Sequence, residues 1–116
     1  MVATDAPLLP HQLRRVAKRP SLALGRLGSI SSGGSGDIFV AFSTANAGRI
    51  SENEATKLDA YPNNELNAVF TATVRATEEA IVNAMVAAET VVGAACLQVA
   101  EMPEEQVREI FERGGN

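Results

Sequence analysis

Tryptophan is missing from this 116-residue chain, tyrosine occurs once, and aromatic residues make up only 4% of it. Its core therefore has to come from close packing of alanine, valine and leucine rather than from aromatic anchors. Cysteine also occurs once, which excludes an internal disulfide framework and a CxxC metal or redox pair. With Ala94, Ala95 and Leu97 around it, Cys96 reads as a small buried hydrophobe. His11 is the only histidine, and no cysteine or carboxylate stands beside it at ligand spacing, so neither a metal site nor a cofactor is expected. No segment approaches the ~18–20 apolar residues that cross a bilayer. Met1 to Asp5 has neither the basic region nor the apolar run of a signal peptide. A soluble, cytoplasmic protein without membrane partners is the expectation.

What is present is a chain that is 46% hydrophobic and carries a net charge of −4. Its length suits one domain, residues 1–116, with a moderate core. The charge is uneven. Arg14, Arg15, Lys18, Arg19 and Arg26 crowd the first quarter, and the second half is acidic. A basic run of this kind can meet phosphate, but no aromatic residue is interleaved with it. A solvated helix face, or one that pairs with an acidic surface, is expected, and not a nucleic-acid partner.

The spacing of apolar residues gives an α+β order. Val2-Ala3-Thr4 is strand-like but too short to stand as a buried strand. Pro7 and Pro10 punctuate a turn, and Pro10 opens a helix at a position whose N–H would be unpaired anyway. Leu13, Val16, Ala17, Leu24 and Leu27 then recur at helical intervals. Pro20 either kinks this helix or makes it stop and restart at Ser21; the unbroken phase of the apolar face favours the kink. Gly28 ends it. Ile38–Ser43 reads as a buried strand, and Asn46 to Tyr61 as a surface loop of a length that usually lines a site or an interface.

From Asn63 or Asn64 the period turns helical. Leu66, Phe70, Val74, Thr77, Ile81, Met85, Ala88 and Val92 trace one stripe, with Asn63 as a cap and Gly93 as the stop. Ala76, Ala80, Ala84 and Ala87 add a strip of small residues, which implies a helix covered on more than one side. Leu97–Ala100 reads as a short strand or an extended run. Met102-Pro103 opens a last helix with Val107, Ile110 and Phe111 on its apolar side and Gly114-Gly115 at its end. Two strands do not make a sheet able to cover these helices, so part of the structure that covers them is missing from this reading.

The stretch around which the chain is organised is Ser29 to Asn46. Its first half is glycine and serine, and its second half is β-branched and aromatic. A polar turn that feeds a strand can present a hydroxyl or a carboxylate at a sheet edge, and here the candidates are Ser35 and Asp37. Many such turns are only turns. Two residues apart at the start of a strand, the two side chains are able to reach the same side.

Three segments resemble one known family. Val2-Ala-Thr-Asp-Ala-Pro-Leu-Leu-Pro-His-Gln-Leu13 is similar to the segment just inside the small subunit of the L-aminopeptidase/D-Ala-esterase (DmpA-like) peptidases, which include the β-peptidyl aminopeptidases. Ser35-Gly-Asp-Ile-Phe-Val-Ala-Phe-Ser-Thr-Ala-Asn46 resembles a second motif. Ala76-Thr-Glu-Glu-Ala-Ile81, with Asn83-Ala84 and Ala88-Glu-Thr90, resembles a third. The order is the family's, and the three together cover most of the chain.

The resemblance implies a precursor that cuts itself into a large and a small subunit, joined in a four-layer αββα sandwich that associates further. It implies hydrolysis of peptides, amides or esters with a free N-terminal residue. The nucleophile would be the serine that begins the small subunit, with its own α-amine as general base. Ser35 and Asp37 match the family's Ser-Gly-Glu/Asp, where the serine lies beside the nucleophile and the carboxylate helps to hold the amine. The nucleophilic serine is expected a few residues before Val2, where Met1 stands, and the oxyanion donors belong to the large subunit. The chain alone is thus expected to be inactive and to need its large subunit as partner. The alternative is a non-catalytic homo-oligomer that reuses the fold.

Overall fold

The computed structural model describes residues 1–49 and 51–114. It is a mixed α/β structure in which helices accompany two small sheets, and by its internal contacts it divides into two compact units, Met1–Glu79 and Ala80–Asn116.

The first unit begins with β1 (Val2–Thr4), followed by α1 (Pro10–Val16), α2 (Pro20–Arg26) and β2 (Ala41–Ser43). Short as it is, β1 is a true strand. It pairs in parallel with β2 in the register Val2 to Ala41, Ala3 to Phe42 and Thr4 to Ser43. Hydrogen bonds beyond both ends of the ladder, Val2 N–H to the Val40 carbonyl (2.8 Å) and Thr44 N–H to the Thr4 carbonyl (3.0 Å), extend the pairing. The Ser43 hydroxyl donates to the Ala6 carbonyl (2.5 Å) and fixes the chain as it leaves β1. The buried strand expected over Ile38–Ser43 is reduced to its last three residues. Ile38 is 85% exposed, because only Ala41–Ser43 finds backbone partners on β1.

At Pro20 the expected kink is a full break. Proline has no N–H to continue the ladder and its ring clashes with the turn before it. The Arg19 N–H closes a tight turn onto Val16 (2.8 Å), and α2 then starts afresh with Pro20 in its first position. Val16, Pro20 and Ala23 are all buried, so the apolar face keeps its phase across the break. Gly28 ends α2 as expected. At φ +95° it lets Gly28 N–H reach Gly25 O (3.1 Å) and Ser29 N–H reach Leu24 O (3.0 Å), the paired bonds of a Schellman cap.

The long connection after β2 is an ordered loop at its base. The Asn46 side chain donates to the Asp59 carbonyl and accepts from the Asp59 N–H, both at 3.0 Å, and Arg49 pairs with the Asp59 carboxylate at 2.7 Å. A single 3-10 turn, Asn63–Glu65, leads into α3 (Leu66–Val86). Asn63 does not cap the helix. Its oxygen accepts from Gln12 Nε2 (2.9 Å), and Pro62 occupies the cap position.

Gln12 is the polar centre of this unit. It is buried, its Nε2 also donates to the Tyr61 carbonyl (2.8 Å), and its Oε1 accepts the Leu9 N–H (3.0 Å). Every hydrogen bond that burial would otherwise cost is thereby replaced. Around it Leu8, Val16, Leu66 and Phe70 form the core, with Val2, Leu13, Ala41, Tyr61 and Val69 against them.

The second unit holds the end of α3, a hairpin of β3 (Val91–Val92) and β4 (Gln98–Val99), and α4 (Glu104–Gly114). The helical stripe expected as far as Gly93 stops at Val86. Thr90, Val91 and Val92 are β-branched in succession, and Val91 and Val92 pair with β4 instead of extending the helix. Between β3 and β4 a 3-10 turn carries Ala95 at φ 57° and Cys96 at φ 58°. Cys96 in this turn is exposed and not the buried hydrophobe its neighbours suggested, because no other element covers the turn among the described residues. Ala76, Ala80, Ala84 and Ala87 are likewise exposed, and not covered as expected. α4 begins at Glu104, directly after Pro103, with Glu104 and Glu105 at its positive end and Arg113 in its last turn.

Candidate functional site

The segment between α2 and β2 carries the two candidate residues, Ser35 and Asp37. Gly28 turns the chain out of α2, Ser31 adopts φ 48°, and a turn closed by Ser35 N–H on the Ser32 carbonyl (2.8 Å) follows. Gly36 to Val40 carries no regular secondary structure, and pairing with β1 begins at the Val40 carbonyl, which accepts the Val2 N–H. Ser35 and Asp37 therefore sit just before β2, the strand that pairs with β1.

The structure brings these two residues together. The Ser35 hydroxyl donates to Asp37 Oδ2 at 2.5 Å, in the range of charge-assisted O–H to carboxylate bonds. Both are exposed, and Ile38 beside them is exposed as well. Asp37 Oδ1 makes no hydrogen bond among the described residues, and the Ser35 oxygen keeps its lone pairs. The pair can thus accept a hydrogen bond from a third group, such as an ammonium or amide N–H, while Asp37 fixes the direction of the hydroxyl.

Among the described residues no cluster of three or more His, Cys, Asp or Glu side chains stands close enough to hold a metal ion. His11 is exposed at the start of α1. The basic run is partly engaged inside the first unit: the guanidiniums of Arg15 and Arg19 lie over the Phe70 ring, and Arg26 pairs with Glu78 at 3.0 Å. The residue that sequence reasoning passed over is Gln12. A lone glutamine in a helix has no pattern to mark it, and only its position three residues after Leu9 hints at a capping contact.

Comparison with known proteins identifies the family. Residues 1–99 match the model described as peptidase family S58. The chain belongs to that family. It is 46% identical over 114 residues, 97% of its length, to the β-peptidyl aminopeptidase BapA of Sphingosinicella microcystinivorans. The enzyme of the same name from Sphingosinicella xenopeptidilytica is 43% identical over 115 residues. Among solved structures, a Pyrococcus horikoshii OT3 protein superposes with a TM-score of 0.88 at 42% identity over 97% of the chain. The L-aminopeptidase D-Ala-esterase/amidase of Ochrobactrum anthropi, described as a prototype for the serine aminopeptidases and a variant of the Ntn hydrolase fold, gives 0.86 at 40% over 96%. The chain spans only 29% and 28% of the two curated relatives and 32% of each of these two structures. The sequence resemblance to the DmpA-like peptidases thus holds at the level of family.

Proposed function

We propose that residues 1–116 make up most of the small subunit of an N-terminal-serine aminopeptidase, as one domain of a four-layer αββα sandwich whose remaining strands come from the large subunit of the same precursor. The observation that carries this is the Ser35–Asp37 hydrogen bond in a chain of peptidase family S58.

In this reading a serine hydroxyl with a free α-amine attacks the carbonyl carbon of an N-terminal amide. The α-amine takes the hydroxyl proton and passes it to the departing nitrogen, and water then releases the acyl group from the serine. An amine with a solution pKa of about 8 already suits a base near neutral pH, so what it needs is orientation. Ser35 and Asp37 supply that orientation: the carboxylate accepts from the amine, and the fixed hydroxyl bonds beside it. Every serine inside the chain has its nitrogen in a peptide bond and cannot be the nucleophile.

The test uses the whole precursor, with aminoacyl and β-aminoacyl p-nitroanilides as substrates. Asp37→Asn is expected to lower kcat by about 100-fold or more with KM little changed, the scale of a lost acid–base arrangement. An unchanged kcat would remove Asp37 from the site. Gel analysis of the same variant reads self-cleavage separately from turnover.

A second reading is favoured by the exposed apolar residues Val91, Val92, Leu97 and Val99 of the β3–β4 hairpin. A non-catalytic homo-oligomer would cover such a surface with copies of itself. Native mass spectrometry separates the two: a second, different polypeptide supports the peptidase, and a discrete homo-oligomer supports self-association.

A further inference from the structure

We infer that the cleft between α2 and the first half of α3 binds a small amphipathic anion, a carboxylate on an apolar body. The cleft has a volume of about 680 Å³, within the ~300–1,000 Å³ range of small-molecule sites. Its walls alternate two chemistries. Leu22, Phe70 and Val74 are apolar, and Leu22 is 55% exposed. Arg19, Arg26 and Arg75 are cationic.

The three arginines are not equivalent. Arg26 is neutralised by Glu78 at 3.0 Å. Arg19 is held with its guanidinium 4.0 Å from the Phe70 ring centre, a stacking that orders the group and leaves its edge donors free. Arg75 makes no ion pair among the described residues. Two uncompensated guanidiniums thus stand at the rim of an apolar floor. Guanidinium is weakly hydrated and offers paired donors that match a carboxylate, while the floor removes an alkyl or aryl body from water.

A further feature leaves room for this ligand. Gly25 lies on the α2 wall, and a Cβ built there meets no atom within 4 Å. The space in front of it is open, and its backbone is helical, so a side chain can be placed there without strain.

The protein is titrated with octanoate, followed by calorimetry and by amide NMR shifts, with 1-octanol as the uncharged comparator. Expected are one saturable site, shifts centred on residues 19–26 and 70–75, and at least tenfold weaker binding of 1-octanol. Arg75→Ala should weaken octanoate at least tenfold, and Gly25→Leu should abolish the site by filling it while keeping the helix. The inference is overturned by an absence of saturable binding at millimolar octanoate, by equal binding of 1-octanol, or by affinity unchanged in both variants. Amide shifts centred elsewhere, or residues 19–26 and 70–75 that fail to respond because polypeptide covers the cleft, overturn it too. The readout is binding and not turnover, so its failure leaves the peptidase reading untouched, and the reverse also holds.

Discussion

Residues 1–79 and 80–116 are written in the same grammar and are buried very differently. Both contain amphipathic helices and a two-stranded sheet. In the first unit Leu8, Val16, Ala23, Leu66 and Phe70 are buried apolar residues, joined by Gln12 and Thr73. In the second, no described residue is buried, and on α4 Ile110 is 68% and Phe111 76% exposed. The charge follows the same division: cations and acids are equal in number up to Glu79, and beyond it Glu89, Glu101, Glu104, Glu105, Glu109 and Glu112 face only Arg108 and Arg113. The contrast teaches that periodicity reports which face of an element wants a cover, and is silent on whether the cover lies in the same chain.

The comparison can be broken or sharpened by substitution. The largest effect belongs to Leu66→Ala, which empties a side chain that is 1% exposed at the centre of the core. A loss of about 2–5 kcal/mol is expected from urea unfolding. A value near zero would mean that this core does not hold the first unit together. Gln12→Leu comes next. It keeps the volume but leaves Leu9 N–H, the Tyr61 carbonyl and Asn63 without their partner, at a cost of about 1–3 kcal/mol. Phe111→Ala should be the smallest, within ~0.5 kcal/mol for an exposed site in the isolated chain. If Phe111→Ala instead costs as much as Leu66→Ala, the face is covered in solution and the division drawn here fails. Amide exchange offers the same contrast without mutation, with Leu66–Thr73 protected far more strongly than Val107–Phe111.

Much of the first unit was legible in the sequence because local rules decide it. Pro10 at the head of α1, Gly28 at the end of α2 and the loop after Asn46 are consequences of backbone chemistry, and each stands where expected. Errors fell where a choice depended on distant partners. The phase of Val16, Pro20 and Ala23 is the same for a kink and for a break, and it could not tell them apart. Ile38 is as β-branched as any strand residue, yet strand begins only at Ala41, where β1 has backbone to offer. The run to Val92 fits a helical stripe by spacing alone, and the pairing of β3 with β4 overrides it. The contact between Ser35 and Asp37 follows from their spacing, but their role depends on groups that these residues would have to meet.

By itself the sequence determined the start of α1 at Pro10, the end of α2 at Gly28, the last helix after Pro103, and the closeness of a hydroxyl and a carboxylate before β2. These depend on φ limits, missing N–H groups and side chains two or three residues apart, all interactions within reach of the local chain. Only the tertiary structure decided that Val2–Thr4 is a strand, that Gln12 is a buried junction, and that Cys96 and the alanines of α3 face outward. Burial and strand pairing join residues tens of positions apart, and no local pattern encodes which of several suitable partners will be there.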